Sequence, residues 1–191
     1  MFLRHLRAAL SLLLVMTILL GLLYPAVITA VSRLAFAREA EGSLIYRDGK
    51  LIGSHLIGQS FTASKYFWGR PSATTPQPYN GVASSGSNLG ALNPALLDQV
   101  KANAKALHDA DPDNRAPIPV ELVTASASGL DPQISPAAAH YQAARVARAR
   151  ALPLRQIEAL IAAHEHGVVL GFLGERRIDV LELNLALDTP R

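Results

Sequence analysis

Ala8–Ser32, AALSLLLVMTILLGLLYPAVITAVS, is an uncharged and mostly apolar run near the start of this 191-residue chain. As a helix it would extend roughly 37 Å at ~1.5 Å per residue, more than the ~30 Å of hydrocarbon in a bilayer. Because an isolated charge is expensive to place in lipid, the run predicts a transmembrane helix over residues 8–32. Gly21 and Pro25 inside it indicate a kink, a close helix contact or a harmless lipid-facing position.

The basic residues around this helix do not by themselves decide its orientation. Two arginines precede it and two follow it within a few residues, so the positive charges balance. The tail over residues 1–7 carries no acidic group, which is typical of a segment that stays in the cytoplasm. We therefore expect a cytoplasmic tail over residues 1–7 and a domain outside the membrane over residues 33–191.

A cleaved signal peptide is the competing interpretation of the same segment. Ala35-Phe36-Ala37 has the small-x-small pattern of a cleavage site. The apolar part of a signal peptide is normally ~7–15 residues long, however, and this run is far longer. Arg33 also interrupts the approach to the site, so we favour a retained anchor.

Charge and cysteine content exclude several classes of function. The chain has 18 Lys and Arg against 15 Asp and Glu, and Arg4, Arg7 and Arg33 at the membrane flanks account for the net charge of +3. No basic face remains for nucleic acid. Cysteine is absent, so the external domain has no disulfide and no thiolate ligand and depends on its own apolar core.

Beyond the anchor, the pattern predicts a single mixed α/β soluble domain. Asp48-Gly49, between two short apolar runs, predicts a β-hairpin over residues 43–53. Where a cap residue or a proline opens an apolar pattern, helices are predicted over residues 94–108, 136–149 and 153–166. Extended segments are predicted over residues 117–124, 168–172 and 178–187.

The segment from Ser54 to Leu92 has no periodic pattern but is rich in aromatic residues. Disordered linkers lack such residues, so an ordered loop is expected, and long ordered loops are usually functional. Two interpretations stay open for Phe67, Trp68 and Tyr79. They form a small core of the loop's own, or they belong to a functional surface.

Motifs for catalysis and ligand binding are absent or incomplete. Neither a G-x-x-x-x-G-K-[ST] nor a G-x-G-x-x-G pattern occurs, and His164-Glu165-His166 has the wrong spacing for a zinc motif, so no metal site is predicted. The acidic turn over residues 109–114 fits no calcium loop and is expected to be solvated. A hydrolase using Ser128 or Ser87 lacks a base at supporting spacing, so we predict no catalytic residues.

Several unusual motifs then occur in a fixed order along the domain. They are GSHLIGQSF from Gly53, YFWGRPSA from Tyr66, YNGVASSGSNLG from Tyr79, VTASASGLDPQIS from Val123, QAARVARAR from Gln142 and VLELNLAL from Val180. With the single N-terminal span, this series resembles the C subunit of the Kdp potassium-transporting ATPase over nearly the whole chain. Ser85 stands where that family has Gly, and Ala91 stands where Pro often follows Gly90.

The resemblance implies a bacterial inner-membrane complex with an ATP-hydrolysing subunit and a potassium-channel-like subunit as partners, besides the lipid bilayer. It implies a non-catalytic accessory subunit, needed for assembly, that raises the ATP affinity of the hydrolysing subunit in a chaperone-like way. We place the aromatic loop at the partner interface, with these candidate residues: Phe67, Trp68, Arg70, Tyr79, Asn80 and Asn88.

The family proposal for ATP points to Gln142, and here it conflicts with the expected topology. A domain outside the membrane does not meet cytosolic ATP, so any effect on ATP use would then pass through the partner subunits. The alternative hypothesis is a membrane-anchored nucleotide-binding module acting directly through Gln142. A third possibility is that Gln142 is an ordinary helix-surface or packing residue.

Overall fold

The computed structural model describes residues 2–189 and confirms a mixed α/β chain with one long apolar N-terminal helix. The chain divides into two compact units, of which the first ends at Leu44 and the second begins at Ile45. Within residues 2–189, one helix is long and apolar enough to cross a membrane. It lies in the first unit.

That helix is longer than the predicted 8–32 at both ends. Helix α1 (Phe2–Ile18) continues through a π-helical turn (Leu19–Leu23) into helix α2 (Tyr24–Ala35), and a short helix α3 (Ala37–Ala40) follows. Pro25 lacks an N–H group, so it cannot bond the carbonyl one turn before it. The π turn ends two residues before this proline, and helices bend at prolines and at π turns.

The second unit opens with the predicted hairpin, which is confirmed. Strand β1 (Leu44–Arg47) and strand β2 (Lys50–Ser54) are joined by two residues. Asp48 and Gly49 have φ angles of 52° and 74°, the left-handed pair that a tight hairpin turn requires.

Three predicted helices are also confirmed. They are α4 (Pro94–Ala110), α5 (Pro136–Arg150) and α6 (Leu154–Ala163). The Asn93 side chain accepts a hydrogen bond from the first turn of α4, and the Ser135 side chain does so for α5. Helix α6 ends at Ala163, before the predicted limit at Gly167, because Glu165 and His166 turn away to form strand β4 (Glu165–His166).

Three very short strands form the second sheet. Strand β5 (Arg177–Asp179) lies between strand β3 (Gln133–Ile134) and β4, and both pairings are antiparallel. The sheet and helices α5 and α6 enclose the core together with α7 (Val180–Leu187). Its largest fully buried side chains are Phe67, Ile134, Ile157, Ile161, Ile178, Leu183, Gln142, Val146 and Asn184.

The strand predicted over residues 178–187 is wrong over most of its length. Only Arg177–Asp179 is a strand, and Val180–Leu187 is helix α7. The Asp179 carboxylate accepts a hydrogen bond of 3.0 Å from the Glu182 backbone and caps this helix. The apparent alternation misleads because α7 is buried on several sides, with Asn184 as well as Leu183 inside the core.

Three other local predictions are also corrected. Residues 168–172 form a turn closed by a bridge between Val169 and Leu173, and residues 117–124 contain a 3₁₀ turn (Val120–Leu122). The acidic turn after α4 is only partly solvated, because Asp111 is buried and paired with Arg148. A buried carboxylate needs such a partner.

Candidate functional site

The centre of the aromatic loop is held between two helices by a pair of side-chain amides. The Asn184 amide on α7 accepts from the Phe67 backbone N–H at 2.8 Å and donates to the Phe67 carbonyl at 2.9 Å. Gln142 on α5 accepts from the Trp68 N–H at 2.8 Å and donates to its carbonyl at 3.1 Å. In an extended chain, successive residues direct their backbone N–H and C=O groups to opposite sides. Helix α7 therefore bonds Phe67, and helix α5 bonds Trp68.

Gln142 uses its full hydrogen-bonding capacity inside the protein. Its carbonyl oxygen also accepts from the Arg145 guanidinium at 2.6 Å, and its NH₂ group also donates to the Ala138 carbonyl at 3.2 Å. The side chain is 1% exposed. A glutamine amide offers two donors and one acceptor oxygen, so no group of Gln142 is left over for a ligand.

Arg145 fixes the segment just before this point. One of its nitrogens donates to the Ser64 carbonyl at 2.6 Å and to the Tyr66 carbonyl at 3.0 Å. Its guanidinium lies 4.5 Å from the centre of the Trp68 ring, a cation–π distance. Burial lowers the pKa of Arg145 to about 10, so the group still carries its charge at neutral pH.

Arg150, at the end of α5, closes the network at the surface. It donates to the Lys65 carbonyl at 2.7 Å, to the Leu187 carbonyl at 2.9 Å and to the Asp188 carboxylate at 2.7 Å. Asp188 also accepts from the Tyr66 hydroxyl at 2.7 Å. Burial raises the pKa of Asp188, but the hydrogen bonds from Tyr66 and Arg150 outweigh it, so the pKa lies below its ordinary value.

Tyr79 holds the second half of the loop. Its hydroxyl donates to the Arg70 carbonyl at 2.5 Å, and burial raises its pKa to about 12. A Cβ atom at Gly58 would lie 2.5 Å from the Tyr79 ring, so only glycine fits there. Arg70 in turn forms an ion pair of 3.1 Å with Asp131.

Three of the sequence motifs meet at Gly129. Its carbonyl accepts from the Ser72 hydroxyl at 2.7 Å, and its φ of 67° favours glycine. A Cβ atom at this position would lie 2.6 Å from the Ser85 carbonyl oxygen. Next to it, the Ser128 carbonyl accepts from Ser84 and Ser85. The R-P-S-A, S-S-G-S-N-L and S-G-L-D-P runs therefore form one folded cluster.

The candidate interface residues differ widely in accessibility. Phe67 is 0% exposed and belongs to the core. Trp68, Arg70, Tyr79 and Asn80 are half-buried. The polar groups of Trp68, Tyr79 and Asn80 bond within the loop, and Arg70 bonds to Asp131. Asn88 is exposed, as are Ser85 and Ala91, the two positions that depart from the family pattern.

Sequence reasoning missed Asn184, Arg145 and Arg150 as loop-holding residues. The only available signal was their presence in the motifs around Gln142 and Val180. The structure also shows the surroundings of Ser128, which the hydrolase hypothesis named. The Ser128 hydroxyl accepts from the Leu130 N–H at 3.1 Å as part of a turn. Residues 2–189 bring together no group of three or more side chains suited to a metal ion.

The chain thus combines an apolar N-terminal helix with a mixed α/β domain whose long loop is fixed by side-chain hydrogen bonds from helices α5 and α7. The family model for KdpC, the c chain of K⁺-transporting ATPase, matches residues 6–189, and the chain belongs to this family. The chain is 62% identical over 183 residues to the potassium-transporting ATPase KdpC subunit of Polaromonas naphthalenivorans, covering 96% of this chain and 93% of that one. It is 58% identical over 187 residues to the KdpC subunit of Methylococcus capsulatus, covering 98% of each.

Proposed function

We propose that this chain is a non-catalytic accessory subunit of an ATP-driven potassium import complex in a bacterial inner membrane. Membership of the KdpC family over residues 6–189 is the observation that carries the proposal. Its partners are the ATP-hydrolysing subunit and the potassium-channel-like subunit, and its role is assembly and stability of the complex. The N-terminus lies in the cytoplasm and the second unit in the periplasm.

An influence on ATP affinity is indirect in this proposal. The Gln142 amide is fully bonded and buried, so a nucleotide could reach it only by displacing the Trp68 backbone. Such a displacement would leave buried backbone groups without partners. Gln142 therefore supports the fold of the loop, and coupling to ATP use passes through contacts with the other subunits.

The partner surface is the exposed part of the loop that the network holds, residues 81–93. Val82 and Leu92 are 98% and 99% exposed, and Asn88 lies between them. The hydrogen bonds from Ser84 and Ser85 to Ser128 fasten the base of this segment. Apolar side chains on a rigid base suit an interface, because little conformational entropy is lost on binding.

The test is potassium uptake by a deletion strain that carries the full-length chain. We expect Val82→Asp combined with Leu92→Asp to abolish growth on limiting potassium and to prevent recovery of the other subunits with a tagged chain. The matched control is Val120→Asp, which changes an aliphatic side chain that is 71% exposed on another element. Normal uptake and normal recovery with the double variant would contradict this surface, and recovery of the wild-type chain alone would contradict the function.

A further inference from the structure

The turn between strands β4 and β5 carries an exposed apolar tip, which we call the finger and define as residues 167–174. Its sequence, GVVLGFLG, contains no polar side chain. Leu170 and Phe172 are 78% and 74% exposed, and none of residues 168–173 is buried within the part of the chain that the structure describes. The core described above therefore does not account for these side chains.

The finger is an ordered turn closed by backbone hydrogen bonds. The Val169 and Leu173 backbones exchange two hydrogen bonds of 2.9 Å, and the Phe172 N–H donates to the Val169 carbonyl at 3.3 Å. Leu170 and Gly171 occupy the two left-handed positions, with φ of 54° and 79°. Asparagine and aspartate are the usual residues at the first of these positions because they tolerate a positive φ, so a leucine there is uncommon.

We propose that the finger inserts into the interfacial region of the lipid bilayer. Two observations favour lipid over a protein partner. The tip offers no side chain that can hydrogen-bond, whereas protein interfaces carry about one hydrogen bond per ~100–200 Å². Arg177 follows the tip, where its guanidinium can meet lipid phosphates, whereas Arg176 pairs with Glu165 at 2.9 Å.

The chain also supplies its own membrane anchor. About ten residues, four of them in helix α3, separate Ala35, the end of the apolar helix, from the second unit, so the connection is shorter than the ~35 Å of a fully extended chain. Tethering raises the effective concentration of lipid around the finger, so even a weak insertion is populated. The inference depends on the anchor and not on the orientation or partners proposed above.

The absence of cysteine allows a clean test on the full-length chain. Leu170→Cys would be labelled with a nitroxide and reconstituted in phosphatidylcholine liposomes. Collisions with oxygen, which dissolves in lipid, would be compared with those of a water-soluble nickel chelate. We expect the oxygen-to-nickel collision ratio at position 170 to exceed that of the matched Val120→Cys control at least ~fivefold, because interfacial segments lie ~5–10 Å below the headgroups.

An equal ratio at positions 170 and 120 would overturn the proposal. Phe172→Cys provides a second site if the first variant unfolds, which thermal circular dichroism would show. The measurement is then repeated on the complex purified with its other subunits. A label at position 170 that remains exposed to oxygen supports lipid insertion. A label shielded from both reagents places a protein partner on the finger and contradicts the inference.

Discussion

At the scale of single residues, Gln142 and Asn184 act in place of the neighbouring strands that an extended segment usually has. Each amide presents one acceptor and one donor to the backbone of a single loop residue, as a strand neighbour would. The buried face of α5 carries alanines around Gln142, at Ala138, Ala139 and Ala143, and these small side chains let the loop approach closely. The loop thereby becomes part of the core.

Gln142→Ala tests this role. We expect the free energy of unfolding to fall by about 2–6 kcal/mol, because a buried donor and a buried acceptor of Trp68 each cost ~1–3 kcal/mol when unpaired. Urea unfolding of the full-length chain in detergent, followed by the fluorescence of Trp68, would measure the change. Trp68 is the single tryptophan of the chain.

The matched control is Gln99→Ala on the exposed face of α4, where the expected change is within ~0.5 kcal/mol. Equal small effects of both substitutions would mean that the Gln142 hydrogen bonds contribute little. Weakened ATP binding by Gln142→Ala with unchanged stability would support direct nucleotide binding instead.

The sequence could single out Gln142 but not its role. Its partner Trp68 lies 74 residues earlier, and Asn184 is 117 residues from Phe67. No local pattern encodes a hydrogen bond over such a separation. The sequence also could not decide whether Phe67 is buried, because an aromatic residue in a glycine-rich loop suits either a core or a contact surface.

At the scale of elements, strong local signals gave correct predictions. Asp48-Gly49 specified the hairpin, and the Asn93 and Ser135 caps specified the starts of α4 and α5. Strands β3 and β4 have two residues each, too few for any period to appear. Helix α7 was missed because its cap, Asp179, stood inside what resembled a strand.

Asp179 leads to a prediction with a defined pH dependence. Its buried carboxylate caps α7, and burial, the largest influence, raises its pKa above the ordinary value. We expect Asp179→Ala to destabilise the chain by about 0.5–2 kcal/mol near neutral pH through loss of the cap. Asp179→Asn retains an acceptor oxygen and removes the buried charge, so it should be neutral or slightly stabilising there.

The sign of the pH effect follows from the raised pKa. The folded wild type binds the proton of Asp179 more tightly than the unfolded chain does, so its stability relative to Asp179→Asn should increase as the pH falls through the folded pKa. Thermal unfolding of both proteins over an acidic pH series would measure this. A wild type that loses stability relative to the Asn variant on acidification would contradict the assignment.

At the scale of the whole molecule, the anchor and the mixed α/β domain were both predictable, because an uncharged run and a set of helix and hairpin signals are local properties of a sequence. The chain carries one apolar helix long enough to cross a membrane, and to it we add two proposals, a loop surface for partner subunits and an apolar finger for lipid. The proposed indirect coupling to ATP use depends on which side of the membrane the second unit occupies, since cytosolic ATP is present on one side only.

The most direct test is therefore the location of the C-terminus in cells. Alkaline phosphatase or a green fluorescent protein would be fused after Arg191 of the full-length chain. The account predicts an active phosphatase and a dark fluorescent protein, as expected for a periplasmic domain. A fluorescent fusion with an inactive phosphatase would place the domain in the cytoplasm and contradict the central claim.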